Sequence, residues 1–196
     1  TEIYTLSLHD ALPISASVVA TLDQREAITG ADYILCLVRV GGLGAFAKDI
    51  EIPLKYGVDQ CVGDTLAPGG IFYALRTIPV LLDIAKDIRE VAKPNAILIN
   101  YSNPMAMNPW ALNRAGGVQT IGLCHGVEGG HHQIAAALGL PAAEVDFNCV
   151  GINHQTWYTQ VSYQGMDMLP YILEAFEKHE RFSQEEKVRI DILKRS

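Results

Sequence analysis

The stretch YILCLVRVGG, residues 33–42, decides the fold. Its first eight residues are rich in β-branched, aliphatic and aromatic side chains, and two glycines end the run. Such a segment reads as a strand. Upstream, DQREAITGAD (23–32) carries a helix start at Asp23 and a stop at Gly30, and SVVATL (17–22) is β-rich again. The expectation is a strand, helix, strand unit. Downstream, Ile71, Leu75, Ile78, Leu82, Ala85 and Ile88 recur at spacings of three and four, which predicts one apolar helix face kinked at Pro79. Lys93-Pro94-Asn95 closes that helix. AILINYS (96–102) reads as a buried strand, PMAMNPWALNRAGG (104–117) as a helix stopped by its glycines, and VQTIGLC (118–124) as another strand. Strands that alternate with helices predict a doubly wound parallel α/β sheet of the Rossmann-like kind with right-handed crossovers. After Asp146 the texture changes: FNCVGINHQTWYTQVSYQG (147–165) reads as antiparallel strands and is followed by a charged helix from Leu169, the start of an α+β domain.

Composition limits the function classes. The chain has 196 residues, 49% hydrophobic and 19% charged, enough for a substantial core and far from the profile of disorder. A net charge of -7 offers no basic stripe for nucleic acid and no polybasic membrane anchor, so a small molecule is the expected partner. No apolar run is long enough to span a bilayer. Cys36, Cys61, Cys124 and Cys149 are scattered without a disulfide framework, which points to a reducing, cytoplasmic setting.

Open parallel sheets bind ligands beyond the carboxyl ends of their strands. Here those ends carry Val40-Gly41-Gly42, Ser102-Asn103-Pro104, Cys124-His125 and, after Val150, Gly-Ile-Asn153-His154. Glycines, amides, a thiol and imidazoles thus converge. The segment GLCHGVEGGHH (122–132) holds one thiol and three imidazoles, although its spacing fits no zinc finger or ribbon.

The segments LVRVGG, GDT through APGGIFYALRTIPVL, NYSNPMAMNPWAL, GLCHGV and GINHQTW together resemble glycoside hydrolase family 4, from residue 16 onward. The wider superfamily resembled is that of the lactate and malate dehydrogenases. The family resemblance implies an NAD- and Mn2+-dependent glycosidase that oxidises sugar C3, eliminates the aglycone, adds water and returns the hydride. It implies metal ligands at Cys124 and His154, cofactor contacts at Val40, Gly41, Gly42 and Asn103, and substrate contacts at Asn103, Asn153 and His125. His125 is also the catalytic candidate: imidazole can protonate a glycosidic oxygen near neutral pH, or it can orient a ligand. The pattern CHGV (124–127) is similar to that of α-galactosidase members, and its glycine to that of uronide-hydrolysing ones, so a galacto-configured α-glycoside is expected. The whole protein is expected to be a homo-oligomer.

Other residues admit plainer roles. Cys36, Cys61 and Cys149 read as small core residues. His131 and His132 open a helix, where solvated or capping roles compete with a place near the sugar. His179 is expected to face solvent, and Arg76 either reaches the site or forms a helix-surface ion pair. A dehydrogenase of the lactate and malate class would need an Asp and Arg constellation after the strand at Val118, where Cys124-His125 stands. A non-catalytic fragment is the third alternative.

Residues 1–15, which include TLSLHDALPIS (5–15), resemble a translated sequencing adaptor and are expected not to pack with the sheet. Residues 16–145 are expected to form a partial NAD-binding domain, and 146–196 the start of a C-terminal catalytic and substrate domain. The family's G-x-G-S phosphate loop has no counterpart before Gly41, and its tyrosine base lies beyond the G-x-N-H segment, so an internal fragment of a longer enzyme is expected.

Overall fold

The computed structural model describes residues 18–60, 64–152 and 155–195. The segment 1–15, Cys61, Asn153 and His154 therefore lie outside the described residues. A three-stranded parallel sheet is built from β1 (Tyr33–Cys36), β2 (Ile97–Asn100) and β3 (Gln119–Gly122), in that spatial order. Its register aligns Cys36 with Asn100 and Asn100 with Gly122, so the three strands end level with one another.

The helices follow from local chemistry. Asp23 caps α1 (Gln24–Ile28), its side chain accepting from the backbone N–H of Arg25 and Glu26. Helix α2 (Gly42–Leu54) starts directly from the left-handed Gly41, and α3 (Ala67–Val91) takes Pro68 in its first turn, where no N–H is missed. Helix α4 (Met107–Ala111) runs into a π turn at Leu112–Gly116 and stops at Gly117, whose φ of 64° favours glycine. The Arg89 guanidinium donates to the Gly116 carbonyl and satisfies that end. One sheet face, with Ile34, Cys36 and Leu98, is covered by Leu81, Ile84, Ala85 and Ile88 of α3, together with Ile28 and Leu112. Each large aliphatic side chain buried there contributes about 1.5–3 kcal/mol.

Three differences from the sequence-based expectations have physical causes. Residues 18–22 form no strand, and Val19 is 80% exposed. Among the described residues the sheet is β1-β2-β3 and the run at 18–22 pairs with none of its strands, and apolar composition without a pairing partner does not make a strand. The buried stripe of α3 in its first half is Tyr73, Ala74 and Thr77, while Ile71 and Leu75 are exposed. Periodicity finds a face; which face is buried depends on what packs against it. The second sheet face carries Tyr33, Leu35 and Ile121 in the open, so among the described residues the layer of helices expected on that side is not in place over them.

The second unit pairs β4 (Val145–Ile152) with β5 (Gln155–Tyr163), and β5 with β6 (Met166–Asp167), all antiparallel. A bulge falls between Asn148 and Cys149. Helices α5 (His125–Leu138) and α6 (Leu169–Lys178) pack here, around a cluster of Ile134, Ala135, Val145 and Val161 with Ile172 and Phe176. Two short helices, α7 (Phe182–Glu185) and α8 (Lys187–Leu193), follow. His179 ends α6 and stacks on the buried Phe182 at 4.2 Å, rather than facing solvent as its charged surroundings suggested. No helix among the described residues is long and apolar enough to cross a membrane.

Candidate active site

The level strand ends bring three loops to one edge of the parallel sheet. Beyond β1, the chain turns through Val40 and Gly41 into α2. Gly41 has φ +84°, and a Cβ placed there would lie 2.5 Å from that of Ala45, so both conformation and space require glycine. Gly42 also has a positive φ, with open space beside it. The backbone at the start of α2 is therefore bare and accessible, which fits the close approach of a dinucleotide.

Beyond β2, a polar network fixes the turn that carries Asn103. The Ser102 hydroxyl accepts from the Val38 N–H at 2.7 Å, tying the end of β1 to the end of β2. The buried amides of Asn100 and Asn108 both donate to the Ser102 carbonyl, at 2.9 and 3.1 Å. The Asn103-Pro104 peptide bond is cis. The Asn103 side chain donates to Asp64 Oδ2 at 3.1 Å, and Arg39 reaches the same oxygen at 3.2 Å. The Arg39 guanidinium in turn lies over the rings of Phe46 and Tyr73, at 4.6 and 5.3 Å. Asp64 is buried, so its carboxylate is the pivot that joins the loops after β1 and β2.

Arg76 does not project freely. It makes a two-pronged ion pair with Asp49 of α2, at 2.9 and 2.5 Å, and this pairing raises its already high pKa. Asp49 is nearly inaccessible, so the pair is an interhelical lock and not a surface contact. It sits under Gly41, whose added Cβ would come within 3.5 Å of Arg76 Nε.

Beyond β3, the Leu123 N–H donates to the Asn100 carbonyl at 2.9 Å and delivers Cys124 as the N-cap of α5. The Cys124 thiol is free and half-buried, and His125 is exposed at the first position of the helix. A soft sulfur donor at a strand end fits a divalent transition metal. Among the described residues no group of three or more His, Cys, Asp and Glu is placed to hold a cation.

His131 belongs to the scaffold. Its Nε2 lies 3.0 Å from the Val145 carbonyl, and its ring packs on Phe147 at 4.5 Å, so it faces the antiparallel sheet. The Tyr158 hydroxyl donates to the Val127 carbonyl at 2.5 Å. Burial first, and then proximity to Cys149, push the Tyr158 phenol up, while the His131 backbone N–H pulls it back. The hydroxyl therefore stays a donor at neutral pH.

The sequence analysis did not single out Arg39, Asp64, Asp49 or Tyr158. Asp64 sits in a Gly-Asp-Thr run that reads as a turn, and nothing local announces that a carboxylate there is buried. The available signal was an acidic residue between β1 and the long helix with no nearby cation in sequence.

A Rossmann-type α/β sheet with its polar groups gathered at the strand ends defines the class. The chain matches "Family 4 glycosyl hydrolase" over residues 5–140 and "Family 4 glycosyl hydrolase C-terminal domain" over residues 149–196. It belongs to glycosyl hydrolase family 4. It is 56% identical to an alpha-galactosidase of Rhizobium meliloti over 95% of this chain and 38% of that protein. It is 36% identical to an alpha-galactosidase of Bacillus subtilis, covering 95% of this chain and 43% of the relative. An alpha-galacturonidase of Thermoanaerobacterium saccharolyticum is 37% identical over 77% of the chain and 34% of that protein. The chain thus spans about two fifths of the length of the curated relatives it matches most fully. Among solved structures, a 6-phospho-alpha-glucosidase from gut microorganisms, in complex with NAD and glucose-6-phosphate, superposes with a TM-score of 0.69 at 31% identity, over 81% of this chain and 37% of that one. A 6-phospho-beta glucosidase from Thermotoga maritima, with manganese, NAD+ and glucose-6-phosphate, gives 0.70 at 26% identity, over 86% and 41%.

Proposed function

We propose that the chain is part of an NAD- and Mn2+-dependent glycosidase that hydrolyses α-glycosides of galacto-configured sugars. The observation that carries this reading is the alignment of the three strand ends, which gathers Gly41-Gly42, Asn103 and Cys124-His125 along one edge. Residues 16–145 would form the dinucleotide-binding part and 146–196 the start of the substrate domain. Val40, Gly41 and Gly42 would take the dinucleotide against bare backbone, with Asn103 beside it. Asn103, held by Asp64, would present an amide able to donate and accept to sugar hydroxyls or to the cofactor. Cys124 and His154 would hold the metal, and Asn153 would contact the sugar. His125 would deliver a proton to the leaving-group oxygen. When bound, NAD would supply reversible hydride exchange at sugar C3 and the metal would stabilise charge on the neighbouring oxygens as a Lewis acid; the net sequence would be oxidation at C3, elimination of the aglycone, addition of water and return of the hydride to C3. We read the whole protein as a cytoplasmic homo-oligomer, a setting consistent with the free thiols of Cys36, Cys124 and Cys149.

The names of the relatives support galactosides first and galacturonides second. The test exchanges the matching segment of the Rhizobium meliloti alpha-galactosidase for this chain. Turnover of p-nitrophenyl α-galactoside that requires both NAD and manganese is expected, and it should be lost in Cys124→Ser and in His154→Ala. Metal-independent turnover, or turnover surviving both substitutions, would overturn the assignment. A preference for the galacturonide would move the substrate to the uronide.

A further inference from the structure

We propose that Arg76, acting through the buried carboxylate of Asp49, is the positioning residue of the Gly41-Gly42 turn; this rests on the reading of that turn as the dinucleotide site. The turn has little with which to hold itself. Gly41, with φ 84° and ψ -3°, has the backbone angles required of the third residue in a type II turn, and the Gly42 N–H closes the turn on the Arg39 carbonyl at 3.1 Å. The next bond, from the Ala45 N–H to the Gly41 carbonyl at 3.2 Å, opens α2. Gly41 makes no side-chain capping bond, and neither glycine has a side chain to anchor the turn. Its position must come from what lies beneath it.

Arg76 lies there. A Cβ on Gly41 would be 3.5 Å from Arg76 Nε and 4.0 Å from its Cδ, so the stem of the arginine runs under the turn at ordinary contact distance. Nε is buried and finds no partner among the described residues, so the stem supports the turn by contact and the bonding is left to the outer end. There Nη1 and Nη2 donate to the two carboxylate oxygens of Asp49 at 2.9 and 2.5 Å, and Nη1 also donates to the Phe72 carbonyl at 3.3 Å, one turn back on α3. A planar fork held at three points cannot swing. Asp49 is gripped a second time: Gln60 Nε2 donates to its carbonyl at 2.8 Å, while Gln60 Oε1 accepts the Gly69 N–H at 2.8 Å, one of the free donors at the start of α3.

Gly41, Ala45 and Asp49 recur every four residues and so share one face of α2. That face presents two small residues and then a carboxylate. A buried charge is costly unless paired, so α2 settles where the fork closes, and the turn at its N-terminus is carried with it. The apolar core lies elsewhere on α3, where Leu81, Ile84, Ala85 and Ile88 cover the sheet. Loss of the fork should therefore free the turn and leave the sheet folded.

The experiment follows amide hydrogen exchange at Gly42 and Ala45 by nuclear magnetic resonance, with the melting temperature, on the full chain and its variants, and NAD dependence in the segment exchange described above. Arg76→Lys keeps the charge but loses the fork. It should speed exchange at both amides about tenfold, and raise the NAD concentration for half-maximal turnover about tenfold with kcat little changed. Gln60→Leu, which leaves Arg76 intact, should move the same two amides in the same direction. Ile84→Val, on the same helix but over the sheet, should lower the melting temperature and leave both amides unchanged. Exchange at Gly42 and Ala45 that stays at the parent rate in both Arg76→Lys and Gln60→Leu overturns the proposal. So does equal acceleration in Ile84→Val, because the effect is then general loosening. Faster exchange with unaltered NAD dependence shows a pinned turn that does not serve the cofactor, and also overturns it. NAD-independent turnover by the parent segment exchange is instead the failure of the glycosidase reading.

Discussion

Replacing Asp64 tests whether the loops after β1 and β2 are held by one buried carboxylate. In Asp64→Ala the Asn103 amide loses an ionised acceptor at 3.1 Å, a bond worth about 1.5–3 kcal/mol when one partner is charged. The Arg39 pair adds little. The Arg39 side chain is 37% exposed, so screening reduces its contribution to about 0.2–1 kcal/mol. Arg39 also keeps its stacking on Phe46 and Tyr73 without the carboxylate. Relief from burying a charge offsets part of the loss. The net expectation is a destabilisation of about 2–3 kcal/mol for Asp64→Ala and about 1 kcal/mol for Asp64→Asn, which keeps an acceptor oxygen in place. Arg39→Gln should cost less than about 1 kcal/mol. Urea denaturation of each variant, completed as a double-mutant cycle with Asn103→Ala, gives the coupling directly, and about 1–2 kcal/mol is expected between residues 64 and 103. A coupling indistinguishable from zero, or an Arg39→Gln loss exceeding that of Asp64→Ala, would refute the assignment of Asp64 as the pivot.

Three further outcomes are expected. Ser102→Ala leaves the Val38 N–H without its partner and should cost about 1–3 kcal/mol; urea midpoints unchanged from the parent would show that the link between strand ends is dispensable. Gly41→Ala forces a side chain into a left-handed residue against Ala45, and should lower both stability and dinucleotide affinity, read by calorimetry and by NAD titration; unaltered NAD binding would remove Gly41 from the proposed cofactor site. Burial raises the Cys36 thiol and the Tyr73 phenol above their ordinary values, so the folded state keeps protons that the unfolded chain releases. Stability should therefore be unaffected by these groups at neutral pH and fall as pH rises from about 8.5 upward through the raised values. A melting temperature that stays level to about pH 10.5, beyond the ordinary tyrosine value, would contradict this.

Much of the architecture was legible because local chemistry specifies it. The Asp23 cap and the Gly30 stop bracket α1, glycine ends the helix after Trp110, and the apolar runs at 33–36 and 97–100 are strands because they pair in the expected parallel order. The strand pattern likewise placed Asn103 and Cys124 just beyond β2 and β3, since the residue after a strand is a matter of sequence position; the first strand, expected to run to Val40, ends at Cys36, so Gly41 lies on the loop that leads into α2. What required the tertiary structure were the properties that depend on a partner far along the chain. The run at 18–22 has strand composition but no neighbour to bond, and the α3 stripe turns toward Tyr73 and Thr77 instead of Ile71 and Leu75 because packing, not periodicity, selects the face. Asp64 and Tyr158 carry no local mark of importance. One becomes a pivot by burial beside Asn103, the other ties β5 to α5 at the Val127 carbonyl, and both roles arise from contacts 39 and 31 residues away in sequence. Propensity, capping and turn chemistry are short-range and can be read along the chain; burial and the pairing of polar groups are set by the three-dimensional neighbourhood that only folding creates.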